Sequence, residues 1–235
     1  MAILDYHGHS TFTLTTDDGS RIVIDPFFDE NPWTDISAVD VEADFIFCTH
    51  GHEDHFVDAI SIARSTNAMM VGSFELIAYV QSQGIENAHP MHIGGSWDFP
   101  FGRVKMTIAH HGGMIAGAGA EGFTTSPAGL LFDLGPNKRL YHAGDTALTL
   151  DMQLLKGKVD VALIPIGDNF TMGPEDAVTA IDFIGPSVVV PIHYNTWPYI
   201  EQDPEEFRSL VGERAIVEIL VPGQGSYEFL SLIHI

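Results

Sequence analysis

A chain of 235 residues with 45% hydrophobic side chains is long enough for one large domain with a substantial core. Its formal charge of −22, from 32 acidic against 10 basic side chains, repels nucleic acid and anionic membranes at long range, which disfavours polyanionic partners. The single cysteine, Cys48, excludes an intrachain disulfide framework or a multi-cysteine metal site; without a secretory leader or a membrane-length apolar run, a soluble, cytoplasmic protein is expected.

In chain order, alternating or apolar β-rich runs predict strands over 3–6, 11–15, 21–24, 44–48, 68–71 and 103–109, then over 128–133, 139–142, 159–164, 187–192 and 215–220. Helical spacing with plausible caps predicts helices over 56–65, 73–83, 148–155, 174–184 and 204–211, with Pro174 and Pro204 suited to a first turn. Each half runs strands and then helices, which predicts an α/β sandwich of two mixed sheets flanked by helices. No low-complexity linker divides the halves. The Gly-rich stretch 112–122 directly follows His110 and His111 and is a candidate lid.

The run Thr49-His50-Gly51-His52-Glu53-Asp54-His55 carries the strongest chemical signal, because three imidazoles and Asp54 crowd one loop after an apolar strand. Nitrogen and carboxylate donors together suit zinc, manganese or iron, and a glycine in the loop eases the sharp turn they need. The same strand-then-loop pattern delivers His110 and His111, Asp145 and His193. If the strands run parallel, their C-terminal ends share the edge where ligand sites of α/β folds gather.

These residues resemble the metallo-β-lactamase superfamily, whose αββα sandwich holds two metals between its sheets. The motifs His7-Gly8-His9-Ser10, Ile24-Asp25-Pro26, Pro90-Met91-His92-Ile93-Gly94-Gly95, Tyr141-His142-Ala143-Gly144-Asp145-Thr146, Pro165-Ile166-Gly167-Asp168 and His193-Tyr194-Asn195-Thr196 resemble a family of uncharacterised metal-dependent hydrolases within it. The likeness covers nearly the whole chain and implies one domain over 1–229, with 230–235 a short tail that is either an added strand or non-native; His234 is given no role. It implies two divalent ions, zinc first, manganese or iron otherwise. His50, His52 and His111 would hold one, Asp54, His55 and His193 the other, with Asp145 between them and His110 a variable neighbour.

Two ions sharing a water lower its pKa toward neutrality, so the expected activity is hydrolysis of a small ester, lactone or phosphodiester by metal-bound hydroxide, with Asp54 or Asp145 holding its proton or orienting it. His9 is a candidate proton donor or substrate anchor. Asp25 and His142 are candidates to support ligand imidazoles, and Asp168, Asn169, Thr171 and Asn195 are candidate substrate contacts. The expected partner is a small-molecule substrate, with a homo-oligomer left open. A nuclease, a mononuclear-metal oxygenase of the same fold and a non-catalytic metal-binding protein are the competing readings; the first lacks a basic tract for a long polyanion.

Overall fold

The apolar alternation resolves into two sheets in the computed structural model, which describes residues 1–34, 36–115 and 122–229. The first half supplies β1 (Ile3–Tyr6), β2 (Phe12–Thr15), β3 (Arg21–Ile24), β4 (Phe45–Phe47), α1 (Glu53–Phe56), α2 (Ala59–Thr66), β5 (Met69–Ser73), α3 (Phe74–Ser82), β6 (Ala88–Met91), β7 (Ser96–Phe99) and β8 (Gly102–Ile108). The second half supplies β9 (Ala128–Asp133), β10 (Arg139–His142), β11 (Val161–Pro165), α4 (Pro174–Ile184), β12 (Val188–Ile192), α5 (Pro204–Val211), β13 (Ile216–Val217) and β14 (Ser226–Glu228). One seven-stranded sheet has the order β14-β1-β2-β3-β4-β5-β6 and the other β13-β12-β11-β10-β9-β8-β7.

Three buried clusters make four layers. Between the sheets, Leu4, Phe12, Ile24 and Phe47 meet Val104, Leu130, Phe132 and Val190. The outer face of the first sheet packs Ile46 and Met70 on Ile62, Leu76 and Val80 of α2 and α3. The outer face of the second packs Ala162 and Val189 on Ala177, Ile181 and Phe207 of α4 and α5. This is the expected αββα sandwich.

Both sheets are mixed. In the first, β3 to β6 run parallel while β1 pairs antiparallel with β2, and β2 with β3, so β1 points with β3. In the second, β10 to β13 run parallel, and β8, two antiparallel steps from β10, points with them. Six strand ends, those of β1, β3, β4, β8, β10 and β12, therefore carry the site.

The departures from expectation have local causes. The helix expected over 56–65 starts earlier and breaks into α1 and α2 at Asp58, whose carboxylate accepts from the Phe28 N–H. The helix expected over 148–155 is a 3-10 helix, Leu150–Leu155. Unforeseen are β6, β7 and β14, which are short and partly or largely exposed; β6 contains Pro90, tolerated because the strand ends its sheet. Residues 116–121 of the expected lid, and 230–235 with His234, lie outside the described residues. Among the described residues no helix is long and apolar enough to cross a membrane.

Candidate metal centre

Strand ends bring the polar groups together because the chain leaves each sheet at the same edge and turns within a few residues of the strand end. Asp25 directly follows β3, the run His50 to His55 follows β4, Asp145 comes three residues after β10 and His193 directly follows β12. The turns are tight: His9, Asp25 and His193 have φ of 57°, 49° and 54°. Non-glycine residues held in this left-handed region concentrate where the surrounding structure fixes them for function. Gly51 serves otherwise than expected. It has no positive φ, but a Cβ there would lie 2.8 Å from Cγ1 of Ile115, so its smallness admits Ile115 against the loop.

The ring nitrogens of His50, His52 and His111 lie within 4.8 Å of one another, and the donor atoms of His9, Asp54, His55 and His193 form a second such group. Asp145 stands between them. Its Oδ1 is 3.3 Å from His55 Nε2, and its Oδ2 is 3.0 Å from His193 Nε2 and 3.4 Å from His111 Nε2. Asp54 Oδ2 lies 3.6 Å from Nε2 of both His55 and His193. His110, by contrast, is exposed and joins neither group; its N–H donates to Thr146 Oγ1.

Buried neighbours fix the rings. Asp25 can only accept at its carboxylate oxygens, so Nδ1–H of His55 donates to Oδ2 at 2.7 Å. The Thr49 N–H and hydroxyl also donate to Asp25, each at 2.7 Å, which leaves Thr49 Oγ1 to accept from His50 Nδ1–H at 3.0 Å. One carboxylate thereby fixes both rings with their Nε2 atoms turned inward, that of His50 lying 2.9 Å from His52 Nδ1. The His142 ring nitrogens bond outside the two groups. Its Nδ1 accepts from the Gly144 N–H and its Nε2–H donates to the Ser10 carbonyl, each at 3.0 Å, so it ties the Asp145 loop to the His9 loop.

His9 lies within the second group. The ring is fully buried, with Nε2 2.9 Å from Asp54 Oδ2 and Nδ1 2.7 Å from Thr196 Oγ1. Burial and adjacent His193, opposed by Asp54, bring its pKa down to about 4. An enclosed imidazole with both nitrogens occupied is positioned to hold Asp54.

Charge in the site is lopsided without an ion. Burial resists the charge on Asp54 and Asp145, yet the surrounding histidines outweigh it and hold both carboxylates below the usual range. Burial also resists a proton on His193, but Asp145 and Asp54 carry its pKa up to about 9; His55 is raised in the same way. His50, His52 and His111 are lowered, mainly by burial.

Does this donor set fit a cation? His55 Nε2 and Asp145 Oδ1 are buried and face each other at 3.3 Å, yet among the described residues neither makes a hydrogen bond of good geometry, a costly state for polar atoms unless something else meets them. The 3.0–3.6 Å spacings around Asp145 and Asp54 match the roughly 3.3 Å edge of a tetrahedron with bonds of about 2.0–2.1 Å to zinc. The residues fit divalent cations.

A cleft of about 400 Å³ opens onto the groups and is lined by His52, Asp54, His111, Asp145 and His193 together with Phe27, Glu30, Glu53, Phe170 and Trp197. The last five went unnoticed in the sequence, although an aromatic ring in a loop beside a ligand motif, as in Pro26-Phe27 or Thr196-Trp197, is a usable signal. Of the expected substrate contacts, none lines the cleft. Asp168 and Asn169 form an exposed turn, Thr171 Oγ1 donates to the Met172 carbonyl, and the Asn195 amide is spent on the backbone of Gln202.

Residues 20–194 match the family described as "Beta-lactamase superfamily domain". A protein of Shouchella clausii named UPF0173 metal-dependent hydrolase is 49% identical over 222 residues, covering 92% of this chain and 96% of its own. A protein of the same name from Geobacillus is 48% identical, covering 94% and 97%. Among solved structures, Igni18, described as a metallo hydrolase from Ignicoccus hospitalis, superposes with a TM-score of 0.85 at 34% identity, over 97% of this chain and 99% of that one.

Proposed function

The chain belongs to the metallo-β-lactamase superfamily and is a metal-dependent hydrolase, and from this premise we propose that it is a dinuclear enzyme cleaving a small ester, lactone or phosphodiester. The observation that carries the reading is Asp145, whose two oxygens face His55 on one side and His111 and His193 on the other. His50, His52 and His111 would hold one ion and Asp54, His55 and His193 the other, with Asp145 shared; zinc suits the set best, manganese or iron next. Bound ions of this kind supply an acidified water and a Lewis acid for the substrate oxygen.

The chain's own residues supply the rest. Asp25 and Thr49 orient His55 and His50, while His9 steadies Asp54, the carboxylate that lines the cleft and would orient the attacking water by accepting a hydrogen bond from it. Trp197 and Phe27 flank His9 and help keep water away from it. A small-molecule substrate suits a cleft of about 400 Å³, and the buried thiol of Cys48 suits a cytoplasmic setting.

Protein of measured metal content, screened against lactones, esters and phosphodiesters with His52→Ala as blank, tests the reading. Turnover tracking two bound ions per chain is expected. Full turnover with one ion bound would refute the dinuclear mechanism.

A further inference from the structure

Phe170 is 49% exposed and its ring meets that of Tyr199, also exposed, edge-on at 6.5 Å, an apolar pair at the surface rather than a lone side chain. The turn before Phe170 is built with effort: Asp168 and Asn169 have φ of 59° and 45°, two successive non-glycine residues in the left-handed region. That turn is also anchored to the metal loop, since the Met172 N–H donates to the carbonyl of Thr146, the neighbour of Asp145. Strain and anchoring together set the Phe170 ring on the wall of the cleft.

Two further rings reach the same cleft from other loops. Trp197 packs 4.8 Å from His9 and 6.3 Å from His193, centroid to centroid, and Phe27 meets His9 edge-on at 5.8 Å. Apart from the two candidate ligand groups and Asp145 between them, the charged members of the lining are Glu30 and Glu53, both exposed, and among the described residues no lysine or arginine lines the cleft. Away from the proposed ions, whose positive charge dominates the floor of the cleft, an anionic substituent on the outer part of a substrate meets acidic groups and rings whose faces carry negative charge.

We propose that Phe27, Phe170 and Trp197 form a subsite for an uncharged aromatic or branched aliphatic group of a carboxylic ester or lactone, and that Glu30 and Glu53 turn away substrates carrying negative charge beside the scissile bond. The proposal rests on the hydrolytic reading of the metal centre and narrows it: phosphodiesters fall outside the substrate class. The reaction adds water across the acyl C–O bond, the alcohol oxygen taking one proton and the acyl carbon the hydroxyl.

The test compares metal-loaded protein on phenyl acetate, 4-sulfophenyl acetate and bis(4-nitrophenyl) phosphate, each rate divided by that of hydroxide. Phenyl acetate should lead in kcat/KM by on the order of tenfold at low salt. Glu30→Gln with Glu53→Gln, or added salt, should narrow the gap to the sulfonate. Phe170→Ala should raise KM for phenyl acetate on the order of tenfold while affecting methyl acetate less, and should weaken binding of phenylacetamide measured by calorimetry. Equal handling of the sulfonate or the phosphodiester, or unchanged phenylacetamide binding in Phe170→Ala, would overturn the subsite while leaving the hydrolase standing. Phenylacetamide binding that depends on Phe170, with no ester cleaved, would instead uphold the subsite and refute ester and lactone hydrolysis.

Discussion

His55 donates from Nδ1 to Asp25 at 2.7 Å with both side chains fully buried, and the same carboxylate holds Thr49, which in turn accepts from His50. Asp25 thus sets one imidazole in each proposed metal triad without belonging to either. Asp25→Asn replaces an acceptor by an amide that can offer N–H to His55 and so disturb the tautomer. Metal affinity should fall about 10–100-fold, measured by competition with a chelating indicator, while circular dichroism reports a folded chain. Wild-type affinity in this variant would show that the carboxylate only packs.

His111 and His110 make a matched pair of probes. His111 is half-buried, its ring centroid 5.3 Å from that of His50 and 5.0 Å from that of His52, whereas His110 is exposed. His111→Ala should lose about tenfold or more in affinity for the first ion, and His110→Ala should match wild type by isothermal titration. The reverse order would move the ligand by one position.

The candidate ligand groups were readable in the sequence because metal chemistry demands particular atoms close together and a strand-end loop supplies them, as His50 to His55 display. The layer order was readable for the same reason that most strands were: the runs ending at Ile24, Phe47 and Ile192 are apolar and terminate abruptly. What stayed hidden depends on three-dimensional approach. Nothing in Asn195 announces that its amide would bind the Gln202 backbone, and Phe170 is one of 15 phenylalanines until a strained turn puts it at the cleft. Likewise β6 is disguised by Pro90, and only its place at the end of the sheet makes that residue acceptable.

Metal-free protein should lose stability as pH rises from about 6.5 to 9. His193 has its folded-state pKa raised to about 9, and His55 is raised too. A raised pKa stabilises the fold fully below the unfolded value of about 6.5 and no longer does so once pH exceeds the folded value. Bound ions need these rings unprotonated, so metal affinity should climb over the same interval. Melting temperatures of chelator-treated and metal-loaded protein, followed across this window, should therefore diverge; parallel curves would mean that neither ring gives up a proton to the metal.

Gly144 and Gly157 separate backbone strain from crowding. Both adopt left-handed backbone, with φ of 65° and 74°, so alanine at either one bears a conformational cost of about 1 kcal/mol. At Gly157 an added Cβ meets nothing within 4 Å, and that cost should be the whole effect. At Gly144 it would lie 2.9 Å from the Ala128 carbonyl oxygen and 3.2 Å from Thr49 Cβ, so the turn must shift, adding about 1–3 kcal/mol. Urea unfolding should rank Gly144→Ala well below Gly157→Ala in stability. Because Gly144 precedes Asp145 and donates to His142, the same shift should also displace the carboxylate shared between the two triads, so metal affinity should drop in Gly144→Ala and hold in Gly157→Ala.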